Sequence, residues 1–173
     1  MKNATICLAT AIAIASTMPL SAFAADARRQ ADVAERGKDV MPFSLKDTTH
    51  IFTKTADGGI QRVVVKDVAN AEQTRLVRAH LREIEQQFRK GDFSGPMHIH
   101  GKDMPGLDAL RTAKPGQIAI AYRDVDGGAE LAYRSSDPKM IAALHKWFDA
   151  QLSDHGADAM EGHQHHHADM PRK

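Results

Sequence analysis

The chain contains the same order of predicted elements twice, and this repeat is the feature that most constrains its fold. An Asp-Gly-Gly turn at 57–59 separates two β-rich segments, and a second Asp-Gly-Gly turn at 126–128 separates two more. Such turns predict β-hairpins, because glycine readily adopts the positive φ that a tight turn requires. The four predicted strands are 50–55, 60–65, 117–123 and 129–134. A segment with helical periodicity follows each hairpin, so each half predicts a ββα unit.

Apolar residues spaced three and four apart define the two helices. The first is predicted over about 71–90 and ends at Gly91; its apolar face holds Leu76, Val77, His80, Leu81, Ile84 and Phe88. The second begins at Asp137-Pro138, a favoured helix start, and its face holds Met140, Ile141, Leu144, Phe148 and Leu152. When the two helices are aligned, their apolar residues keep the same spacing. This agrees with an internal duplication, and also with coincidence. The predicted fold is α+β: two ββα units form a four-stranded antiparallel sheet with both helices on one face.

The N-terminal residues 1–24 are predicted to be a signal peptide. Lys2 supplies a positive start, residues 4–17 are apolar or small, and Ala-Phe-Ala at 22–24 matches the small-x-small cleavage pattern. We place the cut after Ala24. The apolar run is shorter than the ~20 residues that span a bilayer, so stable membrane insertion is not expected. The predicted location is the periplasm.

Composition then excludes several classes of function. The one cysteine, Cys7, lies in the predicted signal peptide, so the exported chain has no disulfide, thiolate nucleophile or cysteine zinc ligand. The full chain has 23 basic and 22 acidic residues, and loss of Lys2 makes the two equal. A balanced charge argues against a nucleic-acid partner.

The exported chain is divided into three parts. Residues 25–40 are polar and are predicted to form a flexible leader or a frayed helix. Residues 41–156 form the single α+β domain, with a connector at 91–116 that is rich in Gly, Pro, Met and His and contains a short helix at 107–112. Residues 157–173, rich in His and Met, lack periodicity and are predicted to be disordered.

The connector contains residues that predict a metal site. His98 and His100 are two residues apart, which in an extended segment places both imidazoles on one side, and Met97 and Met104 lie close by. Imidazole with thioether suits copper, above all Cu(I), with zinc as the second choice. The alternative is a loop with surface histidines and methionines that fill gaps in the core.

Histidines elsewhere extend this prediction. His80 and His145 lie within or beside the apolar faces of the two helices, and His50 starts the first strand. Because both helices pack on the same sheet face, their imidazoles can converge with those of the connector. Singly, each is more often a core histidine bonded to a carbonyl or carboxylate. Whether His50 reaches the site is left open.

The C-terminal tail contains a second group of potential ligands. These are His163, His165, His166 and His167. Short His-rich tracts bind soft or borderline metals, and a flexible one captures metal as a scavenger. The alternatives are a polar, solvated end and a remnant of cloning.

The predicted function is therefore an exported copper- or zinc-binding protein for metal resistance, storage or delivery. Its partners are the metal ion and a periplasmic metal transporter or acceptor protein. A second class is a periplasmic small-ligand or protein interaction module with structural histidines. A third, weaker class is a metal-assisted hydrolase, since no Gly-x-Ser-x-Gly, His-Glu-x-x-His or phosphate-binding glycine loop is present.

Two stretches also resemble a known family. Residues 92–107 and 145–156 are similar to segments of small exported proteobacterial proteins of unestablished function, and the similarity covers roughly 41–156. Members of that family often carry the label aspartate carbamoyltransferase. This chain has neither the Ser-Thr-Arg-Thr nor the His-Pro-x-Gln motif of that enzyme, and it is too short for two α/β domains. The resemblance implies export and a shared fold, not a reaction.

Overall fold

The computed structural model describes residues 20–163, with side chains from residue 26. The helices are α1 Leu20–Gly37, α2 Ala71–Arg89, α3 Ser94–His100, α4 Leu107–Arg111 and α5 Pro138–His155. The strands are β1 Thr48–Thr55, β2 Gly58–Val65, β3 Ala119–Val125, β4 Gly128–Arg134 and β5 Ala159–Glu161. Two 3₁₀ turns, Leu45–Asp47 and Gly156–Asp158, complete the fold.

Two parts of the predicted organisation lie outside the described residues. They are most of the predicted signal peptide, residues 1–19, and the tail histidines His165, His166 and His167. In the described part of the chain, no helix combines the length and apolar composition needed to cross a bilayer.

The fold is α+β, as predicted, but its sheet has five strands and is mixed. The order is β3-β4-β2-β1-β5, with antiparallel pairing throughout except that β5 runs parallel to β1. The prediction of four antiparallel strands therefore missed an edge strand. Glu161 pairs with Phe52, and the Gly162 N–H donates to the Phe52 carbonyl at 2.9 Å. The segment just after residue 156, expected to be disordered, thus belongs to the sheet.

Each ββα unit forms around its Asp-Gly-Gly turn. Gly127 has a φ of 68°, in the left-handed region. Gly58 lies so close to β4 that a Cβ there would be 2.1 Å from the Tyr133 carbonyl oxygen. Both turns therefore need glycine, for space beside a neighbouring strand and for the positive φ.

Side-chain caps define where the two long helices begin. The Asn70 side chain accepts from the Gln73 N–H at the start of α2, and the Asp137 side chain accepts from the Lys139 N–H at the start of α5. Both caps satisfy N–H groups that a helix cannot pair internally. Pro138 occupies the first turn of α5, which agrees with the predicted helix start.

The core lies between the sheet and the two long helices. Val77 and Leu81 of α2 and Trp147 of α5 are each no more than 1% exposed. Phe148 of α5 packs against Phe52 of β1, with ring centroids 5.1 Å apart. The buried face of α2 is the predicted one, whereas that of α5 is rotated toward Ala143, Trp147 and Gln151, so that Met140, Ile141 and Leu152 are only partly buried. Burial of these faces stabilises the layered arrangement.

Residues 26–37, predicted to be a flexible leader or frayed helix, form most of α1. Val33 is 1% exposed and belongs to the core. Arg36 Nε donates to the Ile99 carbonyl at 2.7 Å, and Arg29 pairs with Asp154. Polar contacts to α3 and α5 and one buried valine hold this segment in place. None of these contacts requires an apolar periodicity, so the sequence pattern did not show the helix.

The connector is helical where an extended segment was predicted. His98 and His100 both lie in α3. Residues two apart on a helix are rotated by roughly 200° about its axis, so their side chains diverge. His98 is accordingly exposed and His100 buried, and the two do not share a face.

Candidate functional site

Four histidines from four separate elements line one cavity of about 50 Å³. They are His50 of β1, His80 of α2, His100 of α3 and His155 of α5. Three of them, His50, His80 and His100, are at most 8% exposed. The layered packing of the helices on one sheet face brings these imidazoles together although they are far apart in sequence.

The imidazole rings contact one another directly. The rings of His50 and His155 are stacked, with centroids 4.7 Å apart and planes 8° from parallel. The His100 ring meets the His155 ring edge-on, with centroids 5.1 Å apart. Phe43 packs against both His50 and His80, at 5.8 and 5.5 Å between centroids. His80 thus belongs to the same cluster as the stacked pair.

A buried carboxylate orients His100. His100 Nδ1 lies 2.8 Å from Asp154 Oδ2, and both side chains are nearly inaccessible to solvent. The Arg29 guanidinium donates two hydrogen bonds to the same carboxylate, from Nε at 2.5 Å and from Nη2 at 2.7 Å. Burial opposes ionisation of Asp154, but the hydrogen bonds from His100 and Arg29 hold its pKa below the ordinary value. An ionised carboxylate only accepts, so His100 Nδ1 carries the hydrogen and donates it to Asp154.

The pKa values of His50, His80 and His155 are all lowered, which favours their neutral forms at pH 7. Burial, followed by the neighbouring His80 and His100, lowers the pKa of His50 to about 4. Burial alone lowers the pKa of His80 to about 4. Burial, with His50 and His100 nearby, also lowers the pKa of His155 well below its ordinary value. Neutral imidazoles present lone pairs to the cavity without first losing a proton.

Three buried polar atoms around the cavity have no hydrogen-bond partner. They are His50 Nδ1, Trp147 Nε1 and Gln151 Oε1. The other nitrogen of His50 bonds to the backbone of Asp158. Unpaired buried polar groups are uncommon in folded proteins, and an unplaced ion, water or ligand is a frequent reason.

The rest of the lining is uncharged. Among the described residues that line the cavity, none is Lys, Arg, Asp or Glu, and the one sulfur donor is Met41. Apolar side chains, including Leu81, Phe88 and Ile99, form much of the remaining wall. A charged species in this cavity would therefore rely on neutral donors.

The structure brings together only part of the predicted ligand set. His50, His80 and His100 lie together, which answers the open question about His50. His98 is elsewhere, with Nε2 3.0 Å from Asp39 Oδ2. His145 Nε2 lies 2.8 Å from the Gly58 carbonyl and 3.1 Å from that of Thr55, so it donates to the β1–β2 hairpin.

The predicted sulfur donors are also elsewhere. Met104 is 4% exposed, and Met97 is partly buried. Both line an open groove between the connector and α5, and neither lines the histidine cavity. They fill the core beneath the connector, which was the alternative to metal binding in the sequence analysis. Of the tail histidines, His163 is described and exposed.

Two members of the cavity were missed by sequence reasoning. His155 was not among the predicted ligands, but Trp147, Gln151 and His155 are spaced by four and lie on one face of α5. Extending the helical periodicity past Leu152 would have found it. No local pattern marks Met41, because the fold alone places it beside the histidines.

Among the described residues, no group of three or more His, Cys, Asp or Glu is arranged so that it could hold a metal ion. The parallel stacking of His50 on His155 explains this, because stacked rings do not direct their nitrogens to one point. Comparison of the chain with family models, curated proteins and solved structures finds no match.

Proposed function

We propose that this protein binds a transition metal, copper first and zinc second, for metal resistance, storage or delivery. The observation that carries the proposal is the convergence of His50, His80, His100 and His155 on one cavity. Imidazole is a common ligand for both metals. Clustering four histidines in a core is otherwise costly, because each ring has polar nitrogens that need hydrogen-bond partners.

The spacing of the rings supports a shared ion. Two imidazoles bound to one tetrahedral ion at ~2.0 Å have ring centroids roughly 5 Å apart. The His50–His155 and His100–His155 centroids are 4.7 and 5.1 Å apart. Because the His50 and His155 rings are stacked, binding to one ion requires at least one of them to rotate about its side-chain bonds.

The arrangement behind His100 also supports a metal ligand. Histidines that bind metals commonly donate their second ring nitrogen to a carboxylate, which fixes the tautomer and the ring orientation. Asp154 accepts this bond from His100 Nδ1, and Arg29 holds the carboxylate in place. His100 Nε2 is thereby the nitrogen left to bind an ion.

Export and metal capture complete the proposal. A signal peptide cleaved after Ala24 would deliver the chain to the periplasm, where it would exchange metal with a transporter or acceptor protein. The tail histidines His163, His165, His166 and His167 would capture metal and pass it to the cavity. The balanced charge supports partners other than nucleic acid.

A second candidate is a small-ligand module in which the histidines are structural. The unpaired Trp147 Nε1 and Gln151 Oε1 favour it, since an N–H donor and an amide acceptor recognise polar organic groups. The lack of a preformed metal-holding group among the described residues agrees with this alternative.

Metal titration of the purified protein separates the two candidates. Cu(I) and Zn(II) are each titrated in competition with a coloured chelator of known affinity. Wild type is expected to bind one ion tightly, and a chain ending after His163 is expected to keep it. The His80→Leu/His155→Leu double variant should lose affinity by at least about 100-fold, as expected for removal of two ligands. His98→Leu is the matched control, because His98 lies outside the cavity.

The outcomes are distinct. Tight binding that disappears only with the tail would contradict a folded site and leave a nonspecific scavenger. Equal affinity of the double variant and the control would contradict the cavity as the site. Thermal stabilisation by a small organic compound, unaffected by a strong chelator, would favour the ligand module.

A further inference from the structure

The unpaired polar groups of the histidine cavity define the chemistry of a small ligand. We propose that the cavity binds a neutral primary carboxamide that carries a short apolar substituent. This inference rests on the second candidate above, the small-ligand module, and it requires no metal ion.

Three polar atoms of the described lining have no partner, and together they offer one donor and two acceptors. Trp147 Nε1 carries a hydrogen and only donates, whereas Gln151 Oε1 only accepts. The third atom is His50 Nδ1. Burial lowers the pKa of His50 to about 4, while the bond of its other nitrogen to the Asp158 backbone opposes this shift, as donation to a carbonyl does. Nδ1 is therefore the nitrogen without a hydrogen at pH 7, and it accepts.

The three atoms follow one another along the α5 side of the cavity. Trp147 and Gln151 are four residues apart on one face of α5, and such neighbours have Cβ atoms about 5–6 Å apart. His155 follows Gln151 by another four residues, and the His50 ring stacks on it with centroids 4.7 Å apart. The two acceptors are therefore neighbours, and the donor lies on the other side of Gln151.

A primary carboxamide presents the complementary set of groups. Its carbonyl oxygen accepts, and its NH₂ group donates two hydrogen bonds. The oxygen would accept from Trp147, and the NH₂ group would donate to Gln151 and His50. Buried polar groups without partners are unfavourable, so a ligand that pairs all three gains affinity from each of them.

Charge and volume restrict the ligand further. None of the described lining residues is Lys, Arg, Asp or Glu, so a carboxylate or ammonium group would lose its hydration without gaining a partner of opposite charge. The cavity volume of about 50 Å³ is several times the roughly 10–15 Å³ that one water molecule requires. Among its partly exposed lining residues are the apolar Val40 and Ile84. An apolar substituent on the amide would contact these two side chains at the entrance.

Three probes of nearly the same shape test the proposal on the purified protein. They are isobutyramide, isopropyl methyl ketone and isobutyrate, titrated by NMR with a strong chelator present. Isobutyramide is expected to bind with a Kd of about 1 mM or lower. The ketone lacks the N–H groups and should bind about 10-fold more weakly, because Gln151 and His50 stay unpaired. Isobutyrate should bind at least about 30-fold more weakly, because nothing in the lining compensates its charge.

Two variants test the individual hydrogen bonds. Trp147→Phe keeps an aromatic ring but removes the N–H, so it should weaken isobutyramide and the ketone alike, by about 10-fold. Gln151→Met removes the acceptor and keeps a side chain of similar length, so it should weaken isobutyramide about 10-fold and change the ketone by less than about twofold. His98→Leu is the matched control, because His98 lies outside the cavity, and it should bind both probes as wild type does.

The outcomes separate this inference from metal binding. If isobutyramide does not bind below about 100 mM, only water serves the unpaired groups, and the inference is overturned whatever the metal titration shows. Equal affinity of wild type for isobutyramide and the ketone would also overturn it, because the N–H groups would then contribute nothing. Amide binding without metal binding would support this inference and contradict the metal proposal. If a variant does not fold, the three probes on wild type still decide the question.

Discussion

Acidification should lower the free energy of unfolding of the metal-free protein steeply, because several of its histidines are buried. Burial lowers the pKa of His50 and of His80 to about 4, from an ordinary 6.5. In the unfolded chain these imidazoles bind protons near their ordinary pKa, whereas the folded protein resists protonation until about pH 4. Protons therefore bind preferentially to the unfolded state between these values. The free energy of unfolding rises with pH across this window and falls as pH drops through it.

The magnitude follows from the size of the pKa shift. A difference of one pKa unit corresponds to about 1.4 kcal/mol, so each of His50 and His80 costs roughly 3 kcal/mol of stability by pH 4. Small domains have only about 5–15 kcal/mol of stability in total. The lowered pKa of His155 acts in the same direction. Loss of most of the net stability below pH 5 is the expected result.

Urea unfolding at about pH 7, 5.5 and 4.5, with a chelator present, measures this effect. The informative variant is His80→Leu, which removes one buried titrating group and keeps an apolar side chain of similar size. The free energy of unfolding of this variant should fall less on acidification than that of wild type. The difference between the two should be about 1.4 kcal/mol for each pH unit below pH 6.5. The control is His98→Leu, at an exposed position outside the cavity. If wild type and His80→Leu lose stability in parallel, burial does not keep His80 neutral and the reasoning is wrong.

Three further predictions concern the support of the site and the processing of the chain. Asp154→Asn should lower metal affinity by about 10–100-fold in chelator competition, because the second ring nitrogen loses its carboxylate; unchanged affinity would exclude this role. Gly106→Ala should lower the urea midpoint far more than Gly101→Ala, although both glycines have positive φ, because a Cβ at Gly106 would lie 2.1 Å from the Ala143 carbonyl oxygen and one at Gly101 meets nothing within 4 Å. Equal effects would show that backbone strain alone matters. Protein isolated from the periplasm of an expressing bacterium should begin at Ala25 by intact mass, and recovery of the full-length chain would contradict cleavage.

The ββα units were predictable because their signals are local. An Asp-Gly-Gly turn between β-rich segments and an apolar face on the following helix depend only on neighbouring residues. Strand β5 gave no such signal, since three residues are too few to show alternation and their pairing partner lies more than a hundred positions away. Helix α1 was underestimated for a related reason: its arginines find their partners only in the folded protein.

The site was predictable in part. His80 and His50 belonged to elements that the pattern located correctly; the approach of His80 to the core was expected, and that of His50 was left open. His98 and His145 failed as cavity residues because a helical connector turned one outward and the β1–β2 hairpin bound the other. Met41 replaced the predicted methionines at the cavity, since core packing decides which thioether faces which neighbour.

The amino-acid sequence by itself determined the two hairpins, the two long helices and the buried face of the first of them. These depend on turn conformation and on periodicity, which act over a few residues. Only the tertiary structure decided which four imidazoles meet, that a carboxylate stands behind one of them, and that the cavity they line is uncharged. Those properties depend on packing and burial between distant segments, and no local pattern carries that information.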